Sequence, residues 1–213
     1  MFEVKNLDVG FSSNILISRI NQGFIPGKIY TVLGDNGAGK TTFIKTLTGF
    51  IPKVGGSILL NKKSIDTLQL SERAKIFSVL FSKNEIDPMI KVREIFEFSL
   101  GINLNQIEEN SGLWQFDKIF EISHMLDKSF GSLSDGQRQL ILIARALLKK
   151  AKIYFLDEPT IYLDLKTKKK LIEYLKKSFI SDEKTILMIS HDISFVKETS
   201  DYILKIEEGI LTK

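Results

Sequence analysis

Four short polar stretches interrupt an otherwise apolar-patterned chain, and each has residue types that do chemistry. The first runs Gly34, Asp35, Asn36, Gly37, Ala38, Gly39, Lys40, Thr41, Thr42 and fits G-x-x-x-x-G-K-[ST]. Glycines there let successive backbone N–H groups converge on an anion with no Cβ in the way. A helix starting at the loop adds the positive end of its dipole. Lys40 is placed to reach β- and γ-phosphates, and the Thr41 hydroxyl to ligate Mg²⁺. The second stretch, "KIYFLDEPT", puts Asp157 and Glu158 at the end of an apolar run. Carboxylates at the C-terminal end of a buried strand sit where open α/β sheets bind ligands. Asp157 is the candidate magnesium carboxylate, and Glu158 the candidate base that polarises an attacking water. The third, "MISHD", places His191 at another strand end. The fourth, "LSDGQ" at 133–137, runs into "RQLILIARALL" and offers a second helix N-terminus to an anion.

The elements that must carry these stretches are legible from periodicity. "IYTVLG" is a continuous β-branched and apolar run, as in a strand buried on both faces, and it leads into the glycine loop. "TTFIKTLTGF" follows as a helix, bounded by Gly49 and Pro52. "MFEVKNLDVGF" partly alternates and reads as a half-buried strand rather than a leader segment. "ILISRINQGF", "GSILLN", "KIYFLDE", "TILMIS" and the final "DYILKIEEGILTK" also read as strands, and Leu68 to Phe81 as a helix followed by a strand. Between about 85 and 130 strand signals vanish, and "KVREIFEFSL" and "FDKIFEISHMLD" carry apolar residues three and four apart. The expectation is an α/β protein with a mainly parallel sheet, interrupted by a helical insertion, in a single domain spanning 1–213. Its core is 1–84 and 131–213.

Composition narrows the classes. Of 213 residues, 43% are hydrophobic, enough for a packed core. There is no cysteine, which excludes disulfides and thiolate metal sites and suits the cytosol. No apolar run approaches the roughly 20 residues that span a bilayer. The net charge of +4 is mild and interspersed. The densest basic run, Lys166 to Lys170, reads as a solvated helix face, and no basic stripe argues for nucleic acid. His124 reads as a structural residue on an apolar helical face.

Together these motifs resemble, over nearly the whole chain, the nucleotide-binding subunits of ABC transporters. "LSDGQ" resembles the family signature LSGGQ, with Asp135 in place of the middle glycine. That variant resembles those of iron–siderophore, haem and cobalamin importers. The resemblance implies a P-loop NTPase core with an N-terminal antiparallel β subdomain and a helical insertion. It implies that Ser134, Gly136 and Gln137 contact a γ-phosphate, and that Phe11 stacks on adenine. By the same resemblance Asp164 of "EPTIYLD" links two subunits' sites and His191 is the switch histidine at the γ-phosphate. ATP and Mg²⁺ are the implied cofactors. The implied partners are a second ATP-binding subunit and a separate transmembrane permease, which would hold the protein at the cytoplasmic face of a membrane. The runner-up reading is a soluble ABC ATPase, for example in cluster assembly.

The chain departs from the family at one point. Where the family has a glutamine after the strand preceding the insertion, "IFSVLF" is followed by Ser82. Its side chain is too short for the glutamine's direct contact with Mg²⁺, so Ser82 is expected to act through water, if at all. Asp135, an acid beside a triphosphate, is expected to face away from it and to cap the following helix.

Overall fold

The computed structural model describes residues 1–12, 14–82, 85–106, 111–180 and 184–213. In chain order the elements are β1 (Phe2–Phe11), β2 (Asn14–Phe24), β3 (Ile29–Gly34), α1 (Lys40–Thr48), β4 (Gly55–Leu60), β5 (Lys63–Ser64), α2 (Leu70–Ile76) and β6 (Phe77–Leu80). The insertion contributes α3 (Val92–Leu100) and α4 (Gly112–Phe120), with short 3₁₀ turns between and after them. Then come α5 (Asp135–Leu148), β7 (Ile153–Asp157), α6 (Leu165–Ile180), β8 (Thr185–Ile189), α7 (Ile193–Thr199), β9 (Tyr202–Glu207) and β10 (Ile210–Thr212).

Two sheets form. One is antiparallel, ordered β2-β1-β4-β5, and the other is ordered β10-β9-β3-β8-β7-β6. Within the second, β9, β3, β8, β7 and β6 are mutually parallel, while β10 folds back antiparallel on β9. A bond from Ser18 N to Gly209 O, 2.9 Å, ties β2 to the β9–β10 turn.

β7 and β8 are buried on both faces, and the strand period of two sorts their side chains between two cores. Tyr154 and Leu156, with Ile186 and Met188, pack into one core with α3, α4, α5 and α6. Ile153 and Phe155, with Leu187 and Ile189, pack into a second core against α1 and the antiparallel sheet. By the same parity Asp157 follows Phe155 onto the α1 side, where the glycine loop lies.

Three details differ from the expectation. The C-terminal segment is a hairpin rather than one strand. Glu208 and Gly209 both take positive φ (47° and 74°), the geometry of a tight hairpin turn, and "EEG" carries that signal. "FDKIFEISHMLD" is not one helix either. α4 stops at Glu121, whose φ of 56° is left-handed, and a 3₁₀ turn over Ser123–Met125 follows. That break rotates His124 off the apolar face. It is exposed, while Ile122 and Met125 are buried. The loop after Ser82, at Lys83 and Asn84, lies outside the described residues, and with it the expected boundary at 84.

Candidate active site

The glycine loop is built by the passage from β3 to α1. Gly39 is the N-cap of α1 at φ 90°, a left-handed conformation that penalises any Cβ. A Cβ there would also lie 3.2 Å from the Cβ of Leu16 on β2. Lys40 is only 8% exposed. Its Nζ donates to the carbonyls of Gly34 (2.7 Å) and Asp35 (2.8 Å), so the ammonium folds back over the loop. Burial lowers its pKa from the ordinary lysine value, and the negative charges of Glu158, Asp157 and Asp35 oppose that shift.

Asp157, 1% exposed, is held by two hydroxyls. Thr41 Oγ1 donates to its Oδ2 at 2.9 Å and Ser82 Oγ to the same oxygen at 3.0 Å. Ser82 therefore reaches the carboxylate directly. These three side chains offer hard oxygens, the donor set Mg²⁺ takes. Among the described residues no group of three or more His, Asp or Glu forms a preset cation site. Bound there, Mg²⁺ would neutralise phosphate charge.

Glu158 would point to the opposite face from Asp157 if β7 continued. Instead its φ is 52°, which swings the side chain back into the cavity. Its Oε2 accepts from the backbone N–H of His191 at 3.2 Å, and Oε1 lies 3.4 Å from His191 Nε2. Oε1 is buried and has no hydrogen-bond partner. Gln139 on α5 steadies this corner by donating to the carbonyls of Glu158 (3.3 Å) and Pro159 (3.0 Å).

One cavity of about 640 Å³ joins Asn36, Gly37 and Gly39 to Thr42 with Ser82, Asp157, Glu158 and His191. Gly34, Asp35 and Ala38 form the loop's frame without lining it. Leu16, Tyr162, Lys168 and Asp192 also line the cavity. Asp192 closes the "MISHD" stretch and Tyr162 lies within "EPTIYLD", whereas Leu16 and Lys168 come from segments whose local pattern is ordinary.

Other expected residues lie outside this cavity. Phe11, 54% exposed at the end of β1, borders a separate hollow of about 360 Å³ with Ile51 to Val54. Asp164 spends its carboxylate on α6, where Oδ1 accepts from Thr167 N at 2.6 Å; this bond lowers its pKa. Ser134, Gly136 and Gln137 begin α5. Ser134 is the N-cap, its Oγ accepting from Gln137 N at 3.3 Å while Gln137 Oε1 accepts from Ser134 N at 3.1 Å. Asp135 thus does not cap the helix. It is the first helical residue and pairs with Arg138 at 3.4 Å. Gly136 lies under Tyr162, whose carbonyl oxygen would be 2.9 Å from any Cβ there.

The family model described as ABC transporter matches residues 17–161.

The chain belongs to the ABC transporter family.

Membership brings ATP binding and hydrolysis to this ABC subunit. It is 28% identical to the iron(3+)-hydroxamate import ATP-binding protein FhuC of Bacillus subtilis, over 98% of this chain and 80% of that protein. It is likewise 28% identical to the petrobactin import ATP-binding protein YclP of Bacillus subtilis, over 100% and 86%. The spermidine/putrescine import ATP-binding protein PotA of Mycoplasma mycoides is 30% identical over 99% of this chain but only 60% of its own length. Among solved structures, an ATP-binding subunit of an ABC transporter superposes with a TM-score of 0.88 at 21% identity, over 100% of this ABC chain and 88% of its own. A dimeric ATP-binding cassette bound to ADP and phosphate superposes at 0.84 and 24%, over 100% and 97%. No helix among the described residues is long and apolar enough to cross a membrane.

Proposed function

We propose that this ABC ATPase is the motor subunit of an importer, working as a pair of ATP-binding subunits beneath a separate membrane permease. Two subunits would enclose two ATP molecules. The loop Gly34 to Thr41 of one would hold the phosphates, and Ser134 to Gln137 of the other would cap the γ-phosphate. The observation that carries this reading is the position of the α5 N-terminus. It is exposed and capped by its own Ser134–Gln137 pair, and those residues do not line the cavity of their own chain. A second copy gives that anion-facing end something to bind.

Within the site Lys40 binds phosphate, Asp157 and Thr41 hold Mg²⁺, and Glu158 takes the proton of the attacking water. His191, 3.4 Å from Glu158 Oε1, would contact the γ-phosphate. Phe11 offers an exposed ring for adenine.

Coupling would run through exposed apolar surface. Phe50 (67% exposed) and Leu70 (79%) border a groove of about 390 Å³ floored by Phe77, Val79 and Phe81. Met89 and Phe98 of the insertion are 79% and 92% exposed. Large apolar side chains left in water mark a partner surface. Import of an iron chelate is supported by the "LSDGQ" variant and by the names of the siderophore-type relatives. The subunit would then work at the cytoplasmic face, held by the permease.

Purification of the tagged subunit from solubilised membranes tests this. An integral membrane protein should co-purify in fixed proportion. Recovery with soluble proteins alone would replace the motor with a non-transport ATPase.

A further inference from the structure

Lys168 and Asp192 form an ion pair inside the nucleotide cavity that the sequence motifs do not account for. Lys168 Nζ donates to Asp192 Oδ2 at 2.6 Å, with side chains 25% and 20% exposed. Asp192 Oδ1 is separately engaged, accepting from Phe195 N at 3.1 Å and from Ser194 Oγ at 2.7 Å as the N-cap of α7. The carboxylate therefore joins two helices at once.

Each end of the pair leads to a functional loop. Lys168 sits in the first turn of α6, and its N–H donates to Asp164 O at 2.9 Å. The segment just before that turn, Ile161 and Tyr162, packs its Tyr162 carbonyl against Gly136 at the start of α5. At the other end, Asp192 follows His191, whose backbone N–H holds Glu158. A line of bonds thus runs from the 161–164 loop through α6 to His191 and Glu158. Exposed lysine–carboxylate pairs contribute little. This pair is half-buried and fixed at both ends, so it holds geometry.

We propose that Lys168 is a positioning residue that fixes the β8–α7 loop through Asp192, setting His191 against Glu158 for hydrolysis. The proposal rests on the reading of Glu158 and His191 as the hydrolytic pair. The 166–170 basic run is thereby not a uniform solvated face. Lys168 points into the cavity, and Lys170 donates to Ile119 O at 2.7 Å.

The test compares Lys168→Met, which keeps the length and removes the charge, with Lys168→Arg. Steady-state ATPase assays are read beside backbone hydrogen exchange over 190–194 in nucleotide-free protein. In Lys168→Met, kcat should fall about tenfold, as small misplacements of catalytic groups do, while KM for ATP stays within about twofold. Exchange at 191–193 should rise, and Lys168→Arg should restore both readouts. Unchanged exchange at 191–193 overturns the tie itself, whatever the activity. Raised exchange with wild-type kcat overturns its role in hydrolysis. A parallel loss of kcat, ATP affinity and thermal stability that arginine does not rescue leaves only a structural contact and also overturns the proposal. Loss of the underlying reading looks different: Glu158→Gln would hydrolyse ATP normally.

Discussion

Two helix N-termini in this molecule are proposed to receive phosphate, and they are finished to different degrees. At α1 the glycine loop closes on its own chain. Lys40 folds onto the carbonyls of Gly34 and Asp35, Thr41 and Ser82 hold Asp157, and the whole lies in one cavity. At α5 the cap is closed by Ser134 and Gln137 alone, Asp135 is turned to Arg138, and the end faces outward. One site is built within a single fold, whereas the other would be completed by a second copy in the proposed mechanism. In that mechanism one chain alone would bind nucleotide, and two would be needed to hydrolyse it.

Mutations at the two ends should therefore fail differently. The largest effect belongs to Lys40→Ala. Charge-assisted hydrogen bonds contribute about 1.5–3 kcal/mol each, so ATP affinity should drop at least about 100-fold in a calorimetric titration. Glu158→Gln should bind ATP normally and lose about 10²–10⁴-fold in kcat, the range of general base contributions. Gly136→Val is the matching lesion at α5. Its side chain would press on the Tyr162 carbonyl, 2.9 Å from the Cβ position. Hydrolysis should fall about tenfold or more, the scale of small misplacements, while ATP affinity of the single chain stays within about twofold. Equal loss of affinity in Gly136→Val would erase the distinction between the ends.

Smaller effects sharpen it. Ser82→Gln should retain ATPase activity, since Thr41 still donates to Asp157; complete loss would mean that the loop at 82 has a duty of its own. Asp192 gives a pH signature. The hydrogen bond from Lys168 comes first among the causes that hold its pKa at about 2 against an ordinary 3.8. A depressed carboxylate pKa adds stability that is full above about pH 4 and is lost as pH falls through about 2. Lys168→Met should thus unfold more easily than wild type by on the order of 1 kcal/mol above pH 4. The gap should close toward pH 2 in denaturant titrations.

The parts legible in the sequence were those where chemistry is local. A phosphate loop needs its glycines, lysine and threonine in one run, and a buried strand ending in Asp157 and Glu158 announces where its ligands lie. Parity along β7 even explains which carboxylate faces α1, although the left-handed turn at Glu158 that brings the second one round has no local signal. Residues brought in by tertiary packing carried no such signal. Leu16 reaches the loop from β2, and Lys168 sits in a run that reads as solvated. The break at Glu121 was hidden for another reason. Apolar periodicity continues across a change of direction, and only the backbone sign at one or two residues ends the element.

The central claim is that the α5 end is completed by a second copy when ATP is bound. Glu158→Gln in saturating Mg-ATP, measured by light scattering, tests it most directly. The mass of two chains is expected with Mg-ATP, with a return to lower mass when nucleotide is removed. A Glu158→Gln protein that binds ATP and keeps the mass of one chain would contradict it.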